Sequence, residues 1–465
     1  MADTFKFEPT KVEWNANHIG ILQDLFHEFE VNDVKYVILK NDNGLPFENH
    51  SKDVDIVIEP GKYKIAAKVI KKVYKQHKVE YCKVHKFERL RCWYGFNTQI
   101  PFAIHIDLLE GFLHKGFELF PFEMIYQNSY KNSNGVYVLN SMFGSVILLL
   151  HSTICYHKIK KKYATLIANE YSIEKDKMDA IFYQLFDKKS AEKLMSLLSN
   201  NDYSTIESLG KYFSHQSKKR IILRRPLFTI CNVFAFLWEK VSRIIINNNK
   251  YNIFLTVHAP DGTGKTTFIK SLAEKLGYYY ICASEDLSRI YHFRPLILPN
   301  LGAVGEKAGV MKQDTDFTNP HRANQANRIS SFVRMLYYWL DYVLGMPLIL
   351  RKNAQFSKIT IFDRYIYDFL IDPKRSRINL PYWLRKLFTK MVRQPKIVFV
   401  LDAPAEVIYR RKQELTLEEI SRQLIEFRKL SSLGNSYCKL DASKNPEEIA
   451  NDAINILFHT YMEKL

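Results

Sequence analysis

The chain has 465 residues, of which 47% are hydrophobic and 25% charged, a composition that excludes a disordered or low-complexity polypeptide. Lys and Arg number 67 against 49 Asp and Glu, and the net charge of +18 suits anionic partners: nucleotides, nucleic acid or an anionic membrane surface. The six cysteines form no C-x-x-C pair, so a disulfide or zinc framework is not expected.

The opening MADTFKFEPTKVEW carries no signal-peptide core, and apolar runs such as SVILLL (145–150) fall short of the ~20 residues that span a bilayer. A cytoplasmic protein is expected, with a peripheral seat at the inner membrane face open.

Three blocks follow. Residues 1–130 mix strand and helix: YVILK (36–40), VDIVI (54–58) and AIHIDLL (103–109) read as strands, and KYKIAAKVIKKVYKQ (62–76) as a helix with a basic face. Residues 131–250 are helical in pattern. GSVILLLHSTICYHKIKKKYATLIANEY has the density of one buried helix, and DKKSAEKLMSLLSNN (187–201) is amphipathic. Between 211 and 250 nine Lys/Arg face one acid, Glu239, around the apolar PLFTICNVFAFLWEKVSRIII. That stretch reads either as a helix on an anionic membrane or as a packed helix with a solvated basic edge. It carries no nucleic-acid-binding motif. Residues 251–465 alternate strand and helix, with strands at 253–257, 278–282, 358–362, 396–401 and 437–440, which implies βαβ units and a parallel sheet.

HAPDGTGKTT (258–267) lies between the strand IFLTV and the helix TTFIKSLAEKLG, closed by Gly277. The phosphate-loop pattern G-x-x-x-x-G-K-S/T is met by Gly264, Lys265 and Thr266, with Ala259 at its first glycine. Backbone amides from Gly262 to Lys265 can wrap a phosphate when side chains stay clear, and the helix N-terminus adds its dipole. Lys265 would bridge β- and γ-phosphates of ATP, with the Thr266 hydroxyl on Mg²⁺. Asp261, Gly262, Thr263, Gly264, Lys265, Thr266 and Thr267 are the nucleotide-binding residues expected.

On this loop, and on IFDRY (361–365), VLDAPAEVIYRRK (400–412) and LDASKNPEEI (440–449), the segment 251–465 resembles the thymidylate kinase branch of the P-loop nucleoside monophosphate kinases. The resemblance implies an ATP–Mg²⁺ phosphotransferase. In it Asp363 holds the metal, Arg364 bridges donor and acceptor phosphates, and Arg410 and Arg411 close over the transferring group.

The acceptor side departs from that family. SRIYHFRPLILPNLG (288–302) stands where the family carries Arg-Glu-Pro-Gly, and an insertion with His321, Arg322 and Arg328 follows. Arg294 and Arg334 are the acceptor-binding candidates, the latter on the aromatic helix SFVRMLYYWLDYVLG with Tyr337 and Tyr338, a pattern that also reads as core.

HSKDVDIVIEP (50–60) sets Asp53 and Asp55 on one face of a strand, and IHIDLLEG brings Asp107 from another. Such carboxylates can hold a divalent metal beside a triphosphate. Residues 30–112 resemble the nucleotidyltransferase fold, with LKNDNGLP (Lys40, Asn41) where that family has a Gly-Ser turn. D-x-D at a strand end also reads as a solvated turn.

The expected fold is therefore α/β: a P-loop-kinase parallel sheet with helices on both faces (251–465), an α+β nucleotidyltransferase-like domain (1–130) and a helical connector (131–250). The expected function is a kinase acting on a nucleotide, sugar or glycan acceptor with ATP and Mg²⁺, with a second activity, nucleotidyl transfer in surface-polysaccharide biosynthesis, left open. The alternatives are a nucleotide-sensing regulatory or defence protein, and a dTMP kinase with an inert N-terminal domain.

Overall fold

The computed structural model describes residues 14–39, 44–49, 53–85, 88–100, 102–245, 253–299, 326–355, 358–430 and 437–462. The chain divides into two units at Val241/Ser242. The expected positions Lys40, Asn41, His321 and Arg322 lie outside the described residues.

In the N-terminal unit a mixed sheet of seven strands runs in the order β3-β4-β5-β2-β1-β9-β8. Its members are β1 (Tyr36–Ile38), β2 (Val54–Ile58), β3 (Glu80–His85), β4 (Leu90–Asn97), β5 (Phe102–Glu110), β8 (Ser129–Lys131) and β9 (Tyr137–Leu139); β6 (Phe112–His114) and β7 (Phe117–Phe120) form a separate hairpin. β2 and β5 run parallel, with Asp55 opposite Asp107.

Side-chain alternation assigns the two faces. Tyr36, Ile38, Ile56, Ile58, Ile104 and Ile106 meet the helices Ala16–Val31 and Tyr63–Gln76 through Ile21, Leu25, Val69 and Val73. Val37 and Val57 point the other way, into a core with Phe143, Val146, Leu150, Phe182, Leu194 and Phe213. The helices of the expected connector, from Ser141–His151 to Gly210–Arg224, thus share one core with this sheet.

The single buried helix expected from GSVILLL onward is interrupted. The helix Ser141–His151 passes into a π-helical turn, Ser152–Tyr156, which ends at His157 with φ of 52°. The next helix begins at Lys161. The basic KIKKK run explains the break, because burying it as a continuous helix would strand its charges.

In the C-terminal unit five strands, all parallel, lie in the order β11-β12-β10-β13-β14. They are β10 (Phe254–His258), β11 (Ser288–His292), β12 (Ile359–Asp363), β13 (Ile397–Asp402) and β14 (Tyr437–Asp441). The first strand of the unit therefore stands in the middle. β10, β12 and β13 are buried along their whole length, as a sheet covered on both faces requires. One face packs on Met335, Tyr342 and Met346 of the helix Arg328–Gln355 and on Phe427. On the other, Phe268 of the helix Lys265–Tyr279 meets Phe399 with ring centroids 6.2 Å apart.

The second strand of this sheet is SRIYH (288–292), not the aromatic run at 278–282. The helix begun at Lys265 continues through Tyr279, burying Leu276 and Tyr279 on its inner face. Tertiary burial of these aromatics overrides their strand propensity. Gly277 lies inside that helix and does not close it; a Cβ there would stand 2.8 Å from the Cys282 carbonyl oxygen, so the glycine permits a close turn.

Candidate active sites

In the C-terminal unit, β10 delivers the loop 259–264 to the C-terminal edge of the sheet. Ala259 is fully buried, a small residue in a closed position. Gly262 and Gly264 have φ of +87° and +92°, conformations that side chains resist. A Cβ on Gly262 would approach the Lys412 Cβ to 3.0 Å, whereas one on Gly264 would meet nothing within 4 Å. Gly264 caps the helix Lys265–Tyr279, so its open side borders the free amides of the first turn. Thr266 and Thr267 are exposed on that turn, and the Thr263 hydroxyl is spent on the Pro260 carbonyl at 2.9 Å.

Lys265 is nearly buried and its Nζ lies 3.1 Å from Asp363 Oδ1, at the end of the adjacent strand β12. Burial, then the Arg364 charge, lowers the lysine pKa, opposed by Asp363 and Asp261. His292 Nδ1 lies 3.2 Å from the other Asp363 oxygen. Asp363 is thus shared by a lysine and a histidine on one sheet edge.

Arg364 has φ of +70° and faces inward. Its Nη1 donates to Asp368 Oδ2 at 2.8 Å and its Nη2 donates to Asp261 Oδ1. Arg375 holds the second Asp261 oxygen at 2.6 Å. Burial works against ionisation of Asp261, yet Arg364, Arg375 and Lys265 keep its carboxyl below the usual range. Asp368 is likewise held well below that range: burial opposes, but Arg364 and the fully buried His258, 3.4 Å away, prevail.

Arg410 and Arg411 end the helix Ala405–Arg411 and differ in placement. Arg411 donates to the Ala442 carbonyl at 2.9 Å and to the Thr263 carbonyl at 3.5 Å, beside the glycine loop. Arg410 is exposed.

Of the acceptor candidates, Arg294 is buried, donates to Asp341 at 3.2 Å and lies 4.7 Å over the Tyr338 ring. Asp341 also accepts the backbone amides of Leu296, Ile297 and Leu298, which makes it the organiser of that turn. Arg334 is half-buried with its Nε lacking a hydrogen-bond partner. Tyr337 donates to the Pro299 carbonyl at 2.8 Å, and Tyr338 stacks on Phe369.

In the N-terminal unit, Asp53, Asp55 and Asp107 bring carboxylate oxygens within 4.8 Å of one another. Asp55 and Asp107 are each 8% exposed. Carboxylates this close and this buried repel unless a cation or protons neutralise them. The all-oxygen donor set fits a hard divalent cation. Asp107 Oδ1 also accepts from His105 Nε2 at 2.8 Å, and the imidazole stacks on Tyr94 at 4.2 Å. This fixes the carboxylate's orientation.

The three aspartates open onto a cavity of 470 Å³, bounded by Leu39, Leu90, Phe112, Ile147, His151 and Tyr156 and also touched by Glu88 and His114. Burial raises the Glu88 carboxyl to about 7, although the Gly116 amide donates to it at 3.2 Å. Burial, reinforced by Lys115 and Lys218, lowers the His114 imidazole to about 4.

Neither a protein-family model nor a curated protein matches this chain.

Residues that sequence reasoning passed over now stand beside the sites. His258, Asp368 and Arg375 form the clamp around Arg364 and Asp261; DRYIYD held the first hint, since Asp368 lies four residues after Arg364. His105, two residues before Asp107 and on the same strand face, was visible in IHID. Glu88 sits in a turn between strands, where nothing in the pattern marks it.

Proposed function

We propose that the C-terminal unit is an ATP-dependent phosphotransferase. The observation that carries this reading is the buried pairing of Lys265, at the head of a helix that follows two left-handed glycines, with Asp363 on the neighbouring strand end. The strand order, with the loop-bearing strand in the centre and its neighbours' ends converging on it, supports the same reading.

A triphosphate tail would lie against the amides of Gly262 to Lys265. Lys265 would exchange Asp363 for the β- and γ-phosphates, and Arg411 would neutralise charge from the other side. Thr266 and Asp363 would hold Mg²⁺, which would supply positive charge to offset that developing in the transfer. An acceptor oxygen attacks the γ-phosphorus, and the bond to the β–γ bridging oxygen breaks, releasing ADP. Arg294 and Arg334 border the acceptor side; the acceptor is a nucleotide, sugar or glycan.

A screen of labelled ATP against nucleotides, sugars, sugar phosphates and glycan fragments tests this. Transfer to one class that disappears in Lys265→Ala supports the reading, and absence of both transfer and ATP binding overturns it.

The N-terminal unit is read as a second centre, for divalent-metal nucleotidyl transfer, on the strength of Asp53, Asp55 and Asp107 beside a nucleotide-sized cavity. Together the units would couple phosphorylation with activation, a pairing that would serve surface-polysaccharide synthesis.

A nucleotide-sensing regulator is the second reading. Arg364 favours it, because its guanidinium is committed to Asp261 and Asp368 and Arg410 stands exposed. Tight ATP binding without phosphoryl transfer to any acceptor would select it.

A further inference from the structure

The helix Pro226–Ile245 is two-faced. One side packs on its own unit: Thr229 and Asn232 are buried, Arg89 donates to Asn232 Oδ1 at 2.7 Å, and a Cβ on Gly116 would meet the Val233 Cα at 2.6 Å. The other side carries Leu227 (79% exposed), Ile230, Phe234 (68%), Leu237, Trp238 (68%) and Val241. Their spacing of three and four keeps them on one stripe. Ile222 and Leu223, at the end of the preceding helix, are exposed as well. Exposed Lys219, Arg224 and Lys240 lie along the same stretch, while Arg225 is tied to Glu118 at 3.3 Å. The acid of this stretch, Glu239, accepts the Glu88 amide at 3.4 Å and so is turned toward the body of the unit.

We infer that this face seats the protein on an anionic lipid surface. Leu, Phe and Trp enter the boundary between headgroups and acyl chains while the flanking cations meet the headgroups. Among the described residues no helix is long and apolar enough to cross a membrane, so the helix lies in the surface. Nucleic acid would engage the cations and leave six large apolar groups in water. A second copy would bring the same cations against these.

Flotation with vesicles of phosphatidylcholine, alone or mixed with phosphatidylglycerol, tests the inference. The wild type rises with the anionic vesicles and stays behind with the neutral ones. Phe234→Asp/Trp238→Asp lowers the bound fraction about tenfold or more, and Lys219→Glu/Lys240→Glu lowers it less and flattens its salt dependence. The conservative Phe234→Leu/Trp238→Phe protein retains binding, which separates loss of the surface from loss of the fold. Cys231 is exposed on the same stripe, and a polarity-sensitive thiol probe there shifts to the blue on anionic vesicles. Equal recovery in solution with both vesicles overturns the inference. So does binding that survives Phe234→Asp/Trp238→Asp. A dimer dispersed by that pair, without vesicle binding, assigns the face to a second copy instead, and RNA binding that the pair abolishes assigns it to nucleic acid.

Discussion

Arg364, at the end of β12, donates to Asp261 in the glycine loop, so the loop and the sheet edge are joined by an ion pair of a buried arginine and a partly buried aspartate. The same guanidinium holds Asp368. Removing Arg364 leaves Asp368 buried opposite only His258, a loss of order 3–5 kcal/mol for a broken buried pair. Arg364→Met is expected to destabilise the C-terminal unit by about that amount. Arg375→Met, whose partner keeps Arg364, should cost at most about 1 kcal/mol because Arg375 is partly exposed. Urea unfolding followed through a probe in the C-terminal unit distinguishes them; equal midpoints for the two variants would refute the clamp.

Gly264 and Gly262 separate backbone strain from crowding. Gly264→Ala meets no atom and should cost about 1–2 kcal/mol through its left-handed conformation alone. Gly262→Ala adds the 3.0 Å approach to Lys412 and should cost more, with a larger loss of ATP affinity. Paired denaturation and ATP titrations measure both; a smaller cost at Gly262 would contradict the loop geometry.

The strand before the glycine loop, the helix after it and the parallel sheet were legible because they depend on local signals: an apolar β-run, two glycines and a helix start. So was the D-x-D pair, fixed by period two. What stayed hidden depends on contacts across the chain. Tyr279 and Tyr280 resemble a strand until their burial against the helix core is known. Strand propensity along β11 is weak, with Arg289, Ile290 and His292 exposed at the sheet edge. Arg294 looked like an anion ligand, and only the fold reveals Asp341 47 residues away as its partner.

His105 gives the metal reading a finer test. Asp55→Asn is expected to abolish Mn²⁺ binding at the N-terminal unit, and His105→Ala to weaken it roughly 10–100-fold by freeing the Asp107 carboxylate. Isothermal titration without nucleotide reports both. Isotherms of Asp55→Asn that match the wild type would discard the site.

Glu88 couples the cavity to pH. Its carboxyl is raised from 4.5 in the unfolded chain to about 7 in the fold, so between these values the folded state binds more protons. Stability from this group is therefore present below pH 4.5 and is lost as pH rises toward 7. Glu88→Gln should gain stability over the wild type across that window and hold a constant advantage above it. Thermal unfolding from pH 4.5 to 8 reads this directly; an advantage that shrinks with rising pH would contradict the burial of Glu88.

Binding of Mg²⁺–ATP to the wild type and to Lys265→Ala, by equilibrium dialysis with γ-labelled nucleotide, tests the central claim most directly. Saturable binding by the wild type, and its loss in a Lys265→Ala protein whose circular dichroism spectrum is that of the wild type, is the outcome expected from a lysine at the mouth of the glycine loop. Equal uptake by the two proteins, or none by either, would contradict it.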